Sequence, residues 1–413
     1  MMNPAPAKNP VIARIPQWRE TKQSIWIAII LRRGFGRQAA QRFACLAMTI
    51  GVFGASAATS AAEPIKIGHY GSLTGKDASF GIVSRKGIML AIEEINAAGG
   101  LLGRPVEYFG EDIQSKAGES ATAVKKLLSR NKVIAILGGN PSSNSLEAAP
   151  LCQNARIPMM AISSTNPKVT AIGDYIFRIC FIDPFQGAVL GRFARESLHA
   201  RRLALLTPVT PYGIGLSSEL RKKFTALGGE VVAEQKYAEG DKDFKAQLTA
   251  LRTFQPDVIA VPGYYTEAAL ICRQARELGL ASIFIGGDGW EAPQLTELGG
   301  RAVEETYYST GFSADNSAPQ VREFVRAFRS RWDGETPDST AALGYDAMML
   351  TADAIRRAGT TEGTALRDAL AATKDFSGVT GRVTIDQERN ATKSAVMMRV
   401  KNGRTEFVAT VDP

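Results

Sequence analysis

Residues 65–103, IKIGHYGSLTGKDASFGIVSRKGIMLAIEEINAAGGLLG, decide the fold. The opening run over 65–70 is short, β-branched and apolar, and it reads as a strand. A helix follows over 84–98, with Ile88, Ile92 and Ile95 on one face and Gly99-Gly100 as its stop. Strand and helix then alternate: strands over 106–108 and 133–137 enclose a helix over 121–128, and the apolar run 157–162 comes next. The rhythm restarts at Arg202, with strands over 203–206, 230–233, 258–261 and 283–285 and helices over 214–227, 244–254 and 266–278. Such alternation is the pattern of parallel sheets covered by helices, and its restart implies two of them. The segment 319–372 is almost purely helical, and the tail returns to strands over 382–385 and 395–400, which should complete a sheet begun earlier. The fold class expected is therefore α/β, two doubly wound parallel-sheet lobes joined by a three-segment hinge near Asp183, Gly311 and Gly378.

Length supports two domains, since 413 residues with 45% hydrophobic content exceed what one core usually organises. The formal charge of +8 at first suggests nucleic acid or an anionic membrane as partner. Its distribution argues otherwise. Residues 1–62 hold eight basic side chains against the single acid Glu20, which leaves 41 basic against 40 acidic residues in the rest. A nearly neutral body has no electrostatic footprint for phosphate backbones, so no nucleic-acid partner is expected.

The basic N-terminal segment leads into an apolar run over 43–53 and then the small residues Gly54-Ala-Ser-Ala-Ala-Thr-Ser-Ala-Ala62, the order of a secretory signal peptide. Cleavage is expected to leave Glu63 near the mature start. The apolar run falls short of the ~20 residues a spanning helix needs. Arg32-Arg33-Gly-Phe35 resembles a twin-arginine export signal but sits about ten residues early. With Cys45 inside the signal, Cys152, Cys180 and Cys272 remain, an odd number that excludes a full disulfide framework.

The catalytic motifs that would mark an enzyme do not occur. The two histidines, His69 and His199, lie far apart with no Cys or acid at metal-ligand spacing. Neither a GxxxxGK[ST] loop, nor GxGxxG after the first strand, nor a GxSxG elbow is found. No metal, cofactor or enzymatic activity is expected.

In open α/β sheets ligands bind beyond the carboxyl ends of the strands. There the first series carries two hydroxyl-rich turns, Gly139-Asn-Pro-Ser-Ser-Asn-Ser145 and Ser163-Ser-Thr-Asn-Pro167. Helix-start N–H groups with Ser or Thr hydroxyls make an uncharged pocket for a carboxylate. Ordinary N-capping explains either turn alone, and two on adjacent strands favour binding. The second series carries Pro211-Tyr212-Gly213, Gly263-Tyr264-Tyr265 and Gly286-Gly-Asp-Gly-Trp290. These give aromatic walls and a carboxylate, Asp288, placed to meet an ammonium group, although Asp in a Gly-rich turn is also a common turn-former. Anion capture by one lobe and cation capture by the other suit a zwitterion.

Gly71-Ser-Leu-Thr-Gly75, the run GIMLAIEEINAAGGLLG over 87–103, Ser164-Thr-Asn-Pro167, Phe177-Arg-Ile-Cys-Phe-Ile-Asp-Pro184 and Gly287-Asp-Gly-Trp290 resemble the periplasmic leucine/isoleucine/valine-binding proteins along essentially the whole chain after residue 62. The resemblance implies a type I periplasmic binding fold, with residues 63–183 plus 312–380 as lobe 1 and 184–311 plus 381–413 as lobe 2. It implies a soluble periplasmic monomer that hands an amino acid to the membrane permease subunits of an ABC importer. The alternative is a sensor, or a receptor for amides, urea or aromatic acids. By the same resemblance Ser142, Ser163, Ser164 and Thr165 fall where the ligand carboxylate is held, and Phe80, Tyr212 and Tyr264 flank the ligand. Asp288 stands where the family usually has a glutamate that receives the ammonium, one methylene shorter. The disulfide that leucine-binding members carry near the carboxylate loop has no counterpart, because Asn140-Pro141 occupy that stretch. Ser163 and Ser164 make the wall more polar than an aliphatic ligand requires.

Overall fold

A computed structural model describes residues 63–413; the export segment expected over 1–62 lies outside the described residues. In chain order the first lobe comprises β1 (Ile65–Gly71), α1 (Ala78–Ala97), β2 (Val106–Asp112), α2 (Glu119–Lys126), β3 (Ala135–Gly138), α3 (Ser142–Ala155), β4 (Met159–Ala161) and β5 (Ile176–Arg178). The five strands form an all-parallel sheet in the order β2-β1-β3-β4-β5. Order reverses between β1 and β3, and a crevice opens above that point at the strands' carboxyl ends.

The second series runs α4 (Asp183–Arg192), β6 (Arg202–Pro208), α5 (Pro211–Ala226), β7 (Glu230–Tyr237), α6 (Lys245–Arg252), β8 (Val258–Ala260), α7 (Tyr265–Glu277), β9 (Ile283–Gly286), α8 (Pro293–Gly299) and β10 (Tyr307–Thr310). Next come α9 (Pro319–Arg331), α10 (Ser339–Ala358), α11 (Gly363–Ala371) and the short strands β11 (Phe376–Gly378), β12 (Gly381–Ile385) and β13 (Ala391–Thr392). The tail strands β14 (Ala395–Lys401) and β15 (Arg404–Val411) finish the second sheet, ordered β15-β14-β10-β9-β8-β6-β7. β14 lies antiparallel on β10, which is how the tail completes a sheet begun almost two hundred residues earlier in the chain.

Burial explains these elements. Ile65, Ile67 and Tyr70 of β1 are almost wholly buried, as expected of a strand covered by helices on both faces. Ile88, Ala91, Ile92 and Ile95 form the buried stripe of α1. The helix begins at Ala78, six residues before the expected start at 84. Tertiary contact extends it, because Phe80 packs across the cleft and Gly81 lies against the Ser72 carbonyl, where a Cβ would come within 2.0 Å.

The chain passes three times between lobes: after β5, after β10 and between β13 and β14. Val383, Ile385 and Ala391 pack in the same core cluster as β1, α1 and α10. The sequence division at 380/381 had placed these residues in lobe 2. The apolar alternation of β12 could not say which core it would enter. Between β11 and β12 the buried Asp346 carboxylate accepts the Val379 N–H (2.8 Å) and the Thr380 N–H (2.9 Å), and Lys393, at the third crossing, donates to the Thr380 hydroxyl. All three described cysteines are free and buried.

His69 is fully buried in β1, with Nδ1 2.8 Å from the Tyr108 hydroxyl. Burial, aided by Arg85, pushes its pKa down to about 3. Because the folded value lies below the unfolded one, its contribution to stability is complete above about pH 6.5 and is lost as pH falls from there toward 3. Between pH 6 and 4 this loss amounts to about 1.4 kcal/mol per pH unit. A His69→Gln variant is expected to lack that component, which denaturant titrations of both proteins at several pH values would reveal.

Candidate ligand-binding site

A partly enclosed cleft lies between the lobes, walled by residues of both. Strand ends supply most of its wall. Phe80 follows β1, Asn140 follows β3, Ser163 follows β4, Tyr212 follows β6, Tyr264 follows β8, and Asp288, Gly289 and Glu291 follow β9. Ser339, Thr340 and Leu343 from the first turns of α10 complete it.

One wall is aromatic. Tyr212 and Tyr264 stack with centroids 5.4 Å apart and planes at 24°. Phe80 meets Tyr264 edge-on at 6.1 Å and Tyr265 at 5.1 Å. Phe80 belongs to the first lobe and the tyrosines to the second, so these contacts describe a closed cleft. Closure is held at the rim by the Tyr265 hydroxyl donating to the Lys76 carbonyl (2.6 Å), the Asn166 amide donating to the Pro211 carbonyl (2.7 Å) and Lys76 paired with Glu239 (2.7 Å).

Asp288 sits in a single 3₁₀ turn after β9, directly under this wall. Its Oδ1 accepts from the Tyr212 hydroxyl at 3.0 Å and from Gln186 Nε2 at 2.9 Å. Burial raises its pKa to about 6, against the lowering effect of these two hydrogen bonds. Gly287 permits the approach, since a Cβ there would lie 2.2 Å from the Tyr212 hydroxyl oxygen. Glu291, one turn on, accepts from the Thr310 hydroxyl and lies in reach of the Ser339 N–H. Burial and the neighbouring Asp338 charge hold its pKa well above the ordinary carboxylate range. Burial raises Asp338 as well, to about 6, against the lowering effect of the Ala341 N–H that it accepts at 2.8 Å as the cap of α10.

The first-lobe side is neutral. α3 begins after Pro141 with no side chain capping it, so its free N–H groups carry partial positive charge at the cleft edge. Asn140 Nδ2 donates to Ser163 Oγ at 3.1 Å and ties the two turns together. Gly139, at φ 79°, is the residue that allows this, because a Cβ there would come within 1.9 Å of Ser145 Oγ. Behind the second turn the fully buried Arg178 donates to the Ser164 and Asn166 carbonyls, fixing the loop from within.

Of the eight side chains expected at the site, Phe80, Ser163, Tyr212, Tyr264 and Asp288 are brought together around the cavity. Ser142, Ser164 and Thr165 are not. Ser164 Oγ is fully buried and clamps the turn, bonding Ser145 Oγ (2.7 Å) and the Gly139 carbonyl (2.8 Å). Ser142 Oγ accepts the Asn166 N–H at 3.3 Å, and Thr165 is buried behind the loop near Asp183. The Ser142 and Ser164 hydroxyls therefore shape the two turns from behind, while the Thr165 hydroxyl is buried without a hydrogen-bond partner among the described residues. Asn140 and Gly289 are within reach of the sequence, being members of turns it singles out. Glu291 directly follows one of those turns; Ser339, Thr340 and Leu343 are beyond local reading, because nothing local says that α10 opens into the cleft.

The periplasmic binding protein family model matches residues 64–405. The chain is 29% identical over 354 residues to the leucine-, isoleucine-, valine-, threonine- and alanine-binding protein of Pseudomonas aeruginosa, covering 85% of this chain and 94% of the relative. Among solved structures it is similar to the leucine binding protein LivK of Thermotoga maritima, with 39% identity and TM-score 0.80 over 84% of this chain and 99% of that one. It is also similar to the branched-chain amino acid transporter substrate binding protein LivJ of Streptococcus pneumoniae in complex with isoleucine. That match has 34% identity and TM-score 0.80 over 85% of this chain and all of the other.

Proposed function

We propose that this chain, which belongs to the periplasmic binding protein family, captures an amino acid between its lobes and delivers it to the membrane permease of an ABC importer. The observation that carries the reading is the closed cleft itself. A carboxylate under stacked tyrosines faces, across the cleft, an uncapped helix start and two polar turns. An α-ammonium would pair with Asp288, and an α-carboxylate would take the α3 N–H groups together with Asn140 and Ser163. Closing the lobes excludes water, which strengthens both ends of that contact.

The relative from Pseudomonas binds leucine, isoleucine, valine, threonine and alanine by its name, and the Streptococcus structure holds isoleucine. Both support an amino acid here. The family places the protein in the periplasm; export by a signal peptide cleaved near Glu63 and a monomeric state complete the proposal. Its action is capture and release without turnover of the ligand.

A thermal-shift screen of the purified protein against the amino acids, urea, amides and benzoates tests this directly. A ligand at 100 times its Kd is expected to add about 2.7 kcal/mol of stability. Stabilisation by one or a few amino acids supports the proposal. Stabilisation only by solutes lacking an ammonium group overturns it.

A further inference from the structure

An α-amino acid brings one ammonium group, and Asp288 suffices for it. The cleft nevertheless contains a second carboxyl, Glu291, and among the described residues no lysine or arginine lines it. Glu291 shares its end of the cavity with Ser339 and Thr340. The Ser339 hydroxyl accepts the Gly311 N–H (3.2 Å) and retains its own proton to donate. Leu343 is the apolar neighbour one turn along α10. If an aliphatic side chain filled this end, closure would strip water from Glu291 and both hydroxyls and return no hydrogen bonds, a cost the fold would carry for nothing.

We propose that Glu291 is the specificity-determining residue of the cleft. With Ser339 and Thr340 it receives an uncharged hydrogen-bond donor on the ligand's side chain, selecting a hydroxyl- or carboxamide-bearing amino acid over its aliphatic isostere. The inference rests on the amino-acid reading of the site and names the class of side chain within it. A neutral partner fits because burial and Asp338 favour the protonated form of Glu291, and a carboxyl group both donates and accepts. Hydroxyls and carboxamides do the same.

Isosteric pairs isolate the effect from size and shape. Calorimetry would compare threonine with valine and asparagine with leucine on the purified protein and on Glu291→Gln, Glu291→Leu and Thr340→Val. The wild type is expected to bind the polar member of at least one pair about tenfold or more tightly, the factor a hydrogen bond to a desolvated partner supplies. Glu291→Gln retains the preference, Thr340→Val reduces it severalfold, and Glu291→Leu abolishes or inverts it. Equal or tighter binding of both aliphatic members by the wild type overturns the proposal, as does a ratio unchanged in both Glu291→Leu and Thr340→Val. Tighter binding of lysine than of either polar amino acid overturns the uncharged-donor assignment. Failure to bind any amino acid sinks the parent reading as well, and is thereby distinguishable from failure of this one.

Discussion

Asp288→Asn weakens amino-acid binding by about 2–5 kcal/mol, the range typical of removing one partner of a desolvated charge pair. At ~1.4 kcal/mol per factor of ten, the Kd rises roughly thirtyfold or more. Asparagine keeps the size of the side chain and can still accept from Tyr212 and Gln186, so the loss isolates the charge. pH gives the same term a second signature. Before an ammonium is present, burial in the closed cleft holds the Asp288 carboxyl up at about 6, and an ammonium beside it lowers that value in the complex. Above the free value the carboxylate is already ionised and affinity is level with pH. Below it, binding must expel one proton, so the Kd rises about tenfold for each unit of falling pH until the bound-state value is reached. Calorimetry from pH 8 to 4.5 should show this slope in the wild type and its absence in Asp288→Asn. An unchanged Kd in the variant would remove Asp288 from the ligand's contacts.

Gly87→Ala destabilises the fold by about 3 kcal/mol, the upper part of the range for overpacked cores. In an ordinary helix interior the same change stabilises by up to ~1 kcal/mol, so the sign itself is diagnostic. α1 and α10 pass so closely at this point that a Cβ on Gly87 would lie 1.9 Å from the Ala341 carbonyl oxygen. The contact is reciprocal: a Cβ on Gly344 would lie 2.4 Å from the Ser84 carbonyl oxygen. Both obstacles are backbone, so the helices themselves must separate. That displacement reaches the cleft, since α1 carries Phe80 and α10 carries Thr340 and Leu343. Chemical denaturation and ligand titration of the variant should therefore show losses together. A neutral or stabilising outcome would mean that the helix pair yields easily.

Much of this molecule is legible in its sequence, and particular residues show why. The β1 run, the stripe Ile88, Ile92 and Ile95, and the stop at Gly99-Gly100 are local patterns, and the elements they imply are present with shifted ends. The strand-end turns name Ser163, Tyr212, Tyr264 and Asp288, because parallel topology delivers the carboxyl ends of strands to one crevice, and the family resemblance adds Phe80. The same turns also named Ser142, Ser164 and Thr165, of which Ser142 and Ser164 use their hydroxyls within the turns themselves. A turn's sequence gives its hydrogen-bonding capacity but not the direction in which each side chain spends it.

What the sequence determined by itself is therefore whatever depends on short-range periodicity and backbone chemistry: the α/β class, the two series, the turns and the carboxylate among glycines. Only the tertiary structure decided that β12 joins the first core and that α10 opens into the cleft. It alone set a second carboxyl, Glu291, in the wall of the same cleft as Asp288. Each of these depends on how closely distant segments pack, and the closeness of α1 to α10 at Gly87 and Gly344 is a property of two surfaces meeting, which neither helix encodes alone.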